Sequence, residues 1–513
     1  MPAAADFFLG IDIGTSATKV LLVRDDGRPL ARASAAYPVH WPRPGWAEQE
    51  AEAWWRATVE AVRSCLAQAG VDAGRIAALS LSGQMHGAVL LDRAGNVVRP
   101  PILWCDVRTA KQCREMTERA GGRAQLLRLA ANPALEGFTA PKLLWLREEE
   151  PESFRAARTL LLPKDYVRFR LTGEPATDVS DASGTLLYDV VRGEWCRPLL
   201  DVWEIPAQFL PPVLPSHAVA GRISSEAAQA TGLRPGTPVV AGGADNACGA
   251  VGAGVVRDGL FLSSIGSSGV VLTPMSSPWV DPEGRVHTFR HAVEGHWYAM
   301  GVTLAAGLSL RWFRDHLAQA ELAVERAGGP DAYDLLAAEA VRSPAGSRGL
   351  YFLPYLSGER TPHADADARG VFFGISAAHT RADMVRAVFE GITYALRDSI
   401  EILRASGRTV REVRAIGGGA KSPFWRQLQA DVFGADVVTP AVDEGPAYGA
   451  ALLAMVGAGR FATVQEAAET CVRPGGRTAP SAERGVYDSG YAFYRSLYPA
   501  LKDRFAALAR VGG

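Results

Sequence analysis

The sequence predicts an α/β protein built from two similar lobes, and three observations carry that prediction. Strands lead into helices through most of the chain, an alternation that places helices against sheets. An apolar strand, a small hydroxyl turn and a second apolar strand occur at Ile13-Gly14-Thr15-Ser16 with Val20 to Val23. The same pattern returns at Ile265-Gly266-Ser267-Ser268 with Val270 to Leu272, about half a chain later, as a duplicated lobe would place it. A length of 513 residues suits two to four domains at roughly 100–200 residues each, and a two-lobed enzyme fits.

Phe7 to Ile13 and Lys19 to Arg24 read as strands, and Asp25-Asp26-Gly27 turns the chain into a third from Leu30 to Ala36. After Pro38, Pro42 and Pro44, a helix is expected from about Ala47, with Trp55, Val59, Val62 and Leu66 on its buried face and Gly70 at its end. Ile76 to Ser82 is the next strand. The lobe boundary is expected near Gly254 to Asp258, dividing the chain into residues 1–256 and 257–513. The second lobe contains a long helix around Asp383 to Ala405, a strand from Val410 to Ile416, the triplet Gly417-Gly418-Gly419 and a helix from about Pro423. After Phe461 a helical tail packs back on the body.

Composition removes several classes. With 54 basic and 55 acidic side chains, the formal net charge is −1. That argues against a broad phosphate-binding surface for nucleic acid. No run of about 18 apolar residues is present, so no membrane span is expected. The first residues carry no signal-like segment, which predicts a cytoplasmic protein. The six cysteines (Cys65, Cys105, Cys113, Cys196, Cys248, Cys471) form no C-x-x-C pair, so reduced thiols are expected rather than a disulfide framework or a zinc site. The nucleophile elbow, the Walker phosphate loop and the dinucleotide-binding glycine fingerprint are all missing.

Three stretches carry candidate chemistry. Asp12-Ile13-Gly14-Thr15-Ser16 ends the first strand in a hairpin whose N–H groups and hydroxyls can hold a phosphate. Lys19 adds positive charge, and the carboxylate can hold Mg²⁺ through water. The alternative is a plain hairpin with a solvated acid. Ala241-Gly242-Gly243-Ala244-Asp245-Asn246 sets an acid and an amide at a strand-to-helix junction among small residues that admit a ligand; the alternative is that Asp245 is a helix cap. Gly417 to Gly419, before Ala420, Lys421 and Ser422, can bring a base or phosphate close to the main chain, or can be a tight turn.

A family resemblance joins these pieces. Ser82-Gly83-Gln84-Met85-His86-Gly87, followed by Ile102-Leu103-Trp104 and Asp106, resembles the sugar-binding region of the FGGY carbohydrate kinases, within the actin-like, ribonuclease-H-like ATPase superfamily. Thr139 to Leu146 and Gly370 to Glu390 resemble that family's two characteristic stretches, and Leu162 to Tyr166 and Tyr355 to His363 add to the likeness. It runs from about Gly10 to about Ala454.

The resemblance implies two ribonuclease-H-like lobes around a cleft and transfer of phosphate from ATP, with Mg²⁺, to D-xylulose. It implies a first phosphate hairpin of Asp12, Thr15, Ser16 and Lys19, with Asp12 near the metal. Gly266, Ser267 and Ser268 would form the second, and Gly418, Gly419 and Ala420 would lie against adenosine. Met85 and His86 would contact the sugar, with Trp104 and Asp106 nearby; Asp245 would be the catalytic base and Asn246 a sugar contact. A lone histidine such as His86 is otherwise most simply a packed residue. Glu359, Arg360 and His363 read as a local ion network without a catalytic role. Cys105 stands where the family often has Asn, Val107 where it has Gly, and Ser267 where Thr is usual. The rival readings are a kinase for another ketose or polyol and a catalytically silent nucleotide- or sugar-binding protein. A homodimer is compatible with the chain, which encodes no oligomeric state.

Overall fold

A computed structural model describes residues 6–511. In the first of two large sheets, β1 (Phe7–Ile13), β2 (Ala17–Arg24) and β3 (Pro29–Ala36) form an antiparallel meander. Beside β1 runs the parallel β4 (Ile76–Gly83); β5 (Val219–Arg222) forms the far edge, and β6 (Pro238–Ala244) lies parallel to β4 between them. The second sheet contains β7 (Leu260–Ile265), β8 (Gly269–Met275), β9 (His287–Arg290), β10 (Trp297–Thr303), β11 (Glu412–Gly417), β12 (Asp436–Pro440) and β13 (Pro474–Thr478), in the order β9-β10-β8-β7-β11-β12-β13. The meander β7-β8-β10 repeats β1-β2-β3, and the parallel strands β11 and β12 repeat β4 and β6. The short hairpin repeat therefore reflects the same sheet topology twice over.

All seven residues of β1 are buried, as a central strand covered on both faces requires. Phe7, Leu9, Ile11 and Ile13 share one core with Trp54 and Val62 of α1 (Ala51–Ala69). The structure corrects two details of the expected helix. It begins at Ala51, because Glu48 bridges to His40 and the Ala47 N–H donates to Asp106. Its buried face is centred on Trp54, Thr58, Ala61 and Cys65, while Val59 and Leu66 lie at the margin. Gly70 closes it in the left-handed conformation, φ 61°.

The site depends on α2 (Thr139–Glu149), α3 (Pro163–Thr172), α4 (Val179–Ser183) and α5 (Asp245–Gly252) from the first half. From the second half it depends on α6 (Gly307–Leu317), α7 (Arg381–Ala405), α8 (Gly418–Lys421), α9 (Pro423–Phe433) and α10 (Gly445–Gly457). Beyond Phe461 the tail is not wholly helical: β13 pairs with β12 before the last helix, Arg484–Val511. No described helix is long and apolar enough to cross a membrane.

The helices α5 and α10 follow equivalent strands of the two sheets and pack directly on one another. A Cβ on Gly449 would lie 1.9 Å from the Cys248 carbonyl oxygen, and one on Gly252 would lie 2.7 Å from that of Gly445. Helix α10 also lies across the first sheet, where a Cβ on Gly10 would lie 1.8 Å from the Ala447 oxygen. Backbone is thus in contact with backbone at three places, which only glycine allows. We expect Gly449→Ala to force these helices apart and destabilise the protein by about 1–3 kcal/mol or more. Thermal melting checks this, and an unshifted midpoint would refute the close contact.

Candidate active site

The two hairpins sit at corresponding strand ends. In the first, the Gly14 N–H donates to the Ala17 carbonyl at 3.0 Å; in the second, Gly266 donates to Ser268 at 3.0 Å. The start of α6 braces the second hairpin, with Gly307 N–H donating to Gly266 O and Leu308 N–H to Ser267 O, each at 3.0 Å. A guanidinium N–H of Arg311 also donates to the Ser267 hydroxyl.

A cavity of about 230 Å³ opens between the sheets. Met85, His86, Trp104, Asp245 and Asn246 line it, together with Gly266 and Ser268 of the second hairpin. A second cavity, of about 560 Å³, is lined by Gly266, Ser267, Gly418, Gly419 and Trp425. Gly266 borders both, so the second hairpin stands between a compartment containing the paired acid and amide and one floored by the glycine turn.

Asp245 is the first residue of α5, and the cap position is Ala244. The cap alternative therefore does not describe it. Its Oδ1 accepts the Asn246 N–H at 2.7 Å and the Asn246 Nδ2 at 2.9 Å. Burial and the charge of Asp12 push its carboxyl up to about 7, against the pull of those two bonds. Asp12 is likewise pushed up to about 6 by burial, partly offset by Lys19 and Ser82.

A buried ionic cluster holds the strand that presents Asp245. The Ala244 N–H donates to Ser180 Oγ at 2.9 Å, and Ser180 Oγ donates to Asp178 Oδ2 at 2.6 Å. Lys164 Nζ lies 2.6, 2.9 and 3.0 Å from Asp165, Asp178 and Asp181. Arg168 bonds Asp165 and the Ala241 carbonyl. Burial alone would lower the Lys164 ammonium, but three carboxylates outweigh it and hold it above its usual range. Burial and its acidic neighbours raise Asp181 well above the usual carboxylate range.

His86 occupies a left-handed conformation, φ 70°, which is costly for a residue with a Cβ and persists only where neighbours fix it. Lys142 and the Thr139 hydroxyl both donate to its carbonyl, at 3.0 and 3.1 Å, and Lys142 donates to Gly137 O at 2.7 Å. Burial lowers the Lys142 ammonium to about 7. The His86 ring packs on Phe138, centroids 4.8 Å apart. Its Nδ1 donates to Gly184 O at 2.6 Å, and burial holds its pKa near 3. The ring is therefore neutral, with Nε2 as an acceptor.

Of the other predicted residues, Trp104 donates its indole N–H to Thr15 Oγ1 at 3.0 Å, joining the first hairpin to the cavity wall. Ser16 and Lys19 are exposed on that hairpin. Two expectations are corrected. Asp106 does not line the cavity: its carboxylate is taken by Arg108 and the Ala47 N–H. Ala420 is buried with its carbonyl held by Arg426; of the three residues expected against adenosine, Gly418 and Gly419 reach the second cavity and Ala420 does not. The sequence reading missed the Phe138, His287 and Phe289 wall and Arg360. Arg360 stands within the noted Tyr355 to His363 stretch, where its motif position was the available signal.

Among the described residues no three His, Cys, Asp or Glu side chains gather as a metal cage. Asp12 Oδ1 is nevertheless buried without a hydrogen-bond partner. A single orphaned carboxylate oxygen suits Mg²⁺, which keeps waters and phosphate oxygens as its other ligands.

Two matching sheets, paired hairpins and a half-buried acid in the cleft between them define a phosphotransferase of the actin-like class. Models of the FGGY family of carbohydrate kinases match here: the N-terminal domain over residues 7–252 and the C-terminal domain over residues 261–458. The chain belongs to that family. It is 44% identical over 503 residues to a xylulose kinase of Bacillus subtilis (strain 168), covering 98% of each chain. The solved ligand-bound xylulose kinase from Lactobacillus acidophilus matches with a TM-score of 0.91 at 29% identity, covering 98% of this chain and 100% of that one. A gluconate kinase structure from the same organism matches with a TM-score of 0.91 at 28% identity and the same coverage. The fold alone thus fits proteins named for different sugars.

The raised carboxyl of Asp245 has a consequence for stability. It binds its proton more tightly folded than unfolded, so its contribution is present at low pH and is lost as pH rises toward and through about 7. We expect Asp245→Asn to melt higher than the parent at pH 8, with the advantage shrinking toward pH 5. A constant difference in melting temperature across that range would show that Asp245 is not a buried, proton-retaining acid.

Proposed function

We propose that the chain transfers the γ-phosphoryl group of ATP to the terminal hydroxyl of D-xylulose, giving D-xylulose 5-phosphate. The observation that carries this reading is the near-complete, 44% identical match to a xylulose kinase. The shared cavity of Met85, His86, Trp104, Asp245 and Asn246 supplies chemistry of the required kind. Phosphoryl transfer is chiefly positioning and charge stabilisation, which a cleft between two lobes can provide. The lobes would divide at residues 256 and 257, with α10 crossing back onto the first sheet.

In this reading Asp245 orients the sugar hydroxyl and accepts its proton as the O–P bond forms. A carboxyl held near 7 is well matched to that task, since it gives and takes protons near neutral pH. His86 Nε2 accepts from a sugar hydroxyl, while Asn246 and Met85 shape the same wall. The hairpins at Thr15, Ser16 and Lys19 and at Gly266, Ser267 and Ser268 hold the phosphates; Gly418 and Gly419 face adenosine. Asp12 would hold Mg²⁺, which when bound neutralises phosphate charge. We assign Asp106 and Ala420 supporting positions, on the contacts described above.

Asp245→Asn keeps the shape and an acceptor but removes the proton acceptor, so turnover should fall by about 10²–10⁴-fold while both substrates still bind. Coupled ADP release and calorimetry check this; near-normal turnover would remove Asp245 from the chemistry. The same assay over D-xylulose, ribulose, glycerol and pentitols tests the sugar, and equal turnover of several would overturn the assignment. At Gly418 a Cβ would approach only the Ile265 oxygen, at 3.5 Å. Gly418→Val should therefore fold and raise KM for ATP far more than for sugar; the opposite pattern would move the glycine turn to another site.

A further inference from the structure

Arg360 is the one arginine or lysine among the residues lining the 230 Å³ cavity, and Asp245 is the one acid. It reaches the cavity from the second lobe. The Thr361 N–H donates to Val302 O at 3.0 Å and the Val302 N–H to Thr361 Oγ1 at 3.0 Å, so the segment is tied to β10. Val302 pairs across the sheet with Val270, two residues beyond Ser268 of the second hairpin. From there the guanidinium crosses to the first lobe, where Nη2 would stand 4.0 Å from a Cβ on Gly137.

Among the described residues no carboxylate lies within 4 Å of this guanidinium, although the other partly buried arginines nearby, Arg108 and Arg285, have theirs. The adjacent Glu359 is turned away: Oε1 accepts from the Leu304 and Arg360 backbone N–H groups. Burial pushes Glu359 up to about 8, so it carries little charge near neutral pH. The two histidines on the same wall are neutral as well, both held far below their usual range by burial. Glu136 acts on the guanidinium from beyond ion-pair distance, and burial outweighs it. A cation in a partly desolvated cleft without a direct counter-ion is costly unless a ligand supplies one. D-Xylulose, a neutral sugar, supplies none. The group that enters this cavity during the reaction and does carry negative charge is the phosphoryl group.

We propose that Arg360 is a catalytic residue that binds the oxygens of the phosphoryl group as it passes to the sugar and holds the phosphate of the product. It rests on the D-xylulose reading above. The sugar hydroxyl loses its proton to Asp245 while its oxygen bonds to phosphorus and the bond from phosphorus to ADP breaks; Arg360 exchanges no proton or electron. Its charge-assisted N–H···O bonds strengthen as charge spreads over the phosphoryl oxygens.

Calorimetric titration of the full-length protein with D-xylulose and, separately, D-xylulose 5-phosphate tests this, alongside turnover. In Arg360→Gln the 5-phosphate should bind roughly ten- to hundredfold more weakly, with D-xylulose affinity little changed. Turnover should fall by at least about 10²-fold. Arg360→Lys, which keeps a charge without the planar fork, should lie between parent and Gln variant. Equal weakening of both ligands would make Arg360 a sugar contact and overturn the proposal, as would unchanged 5-phosphate binding. Should both variants fail to fold, the parent decides. Its 5-phosphate affinity should exceed its D-xylulose affinity at low salt, by a gap that narrows as salt is added; no gap overturns the proposal. Failure of the parent to turn over D-xylulose at all would instead sink the substrate reading.

Discussion

The packing of α5 against α10 is the contact on which the rest of the structure depends. Each helix follows an equivalent strand of its own sheet, starting at Asp245 directly after β6 and at Gly445 a short turn after β12. Their glycines let backbone meet backbone, so the strand ends of both sheets are brought together over one cleft. Replace that contact with ordinary side chains, and the hairpins after β1 and β7 would stand farther apart. The same crossing makes Asp245 a helical residue with its side chain against the cavity rather than a loop acid free in water. Its elevated proton affinity is therefore a product of its surroundings: desolvation in the cleft and the nearby Asp12 both act on it.

Placing an acid there requires that the strand before it not drift, and the Lys164 cluster accounts for that. Five ionisable side chains with essentially no exposure surround the end of β6. Removing one member would strand a buried charge, which costs far more than a surface pair contributes. Such a cluster adds little net stability over an apolar core. What it provides is a fixed set of bonds to Ala241 and Ala244, the residues that deliver Asp245.

Much of this was legible in the sequence, for identifiable reasons. The strands of the first meander, the Gly70 stop and the long helix ending at Ala405 follow from local patterning, and the hairpin repeat reported the duplicated topology. Asp245, Asn246, Met85, His86 and Trp104 came from motif position, and the structure gathers them around one cavity. What failed depended on partners distant in the chain. Asp106 looks like a site residue by its place in the family motif, yet Arg108 and the Ala47 N–H consume its carboxylate. The helix start moved because Glu48 is held by His40. Arg360 reads as part of an ion network because its neighbours in sequence are charged, whereas among the described residues no carboxylate lies within ion-pair distance of its guanidinium.

The departures from the family pattern at Cys105 and Val107 are judged by the same rule. Both follow Trp104 in sequence, and Cys105 puts a thiol where the family often has an amide. Neither lines the cavity. Val107 is 57% exposed and its N–H donates to the Gly45 carbonyl at 2.9 Å, so its side chain lies on the surface over that turn. Cys105 is half-buried against the core beneath α1, and burial raises its thiol above the usual range, leaving it a neutral packing group. A substitution can act on a cavity through the residues it moves, but of these three neighbours only Trp104 lines it. Trp104 itself is held from another direction, by the Thr15 hydroxyl on the first hairpin. That bond couples the cavity wall to the hairpin proposed to hold the nucleotide phosphates, so the orientation of the indole answers to a residue distant in sequence.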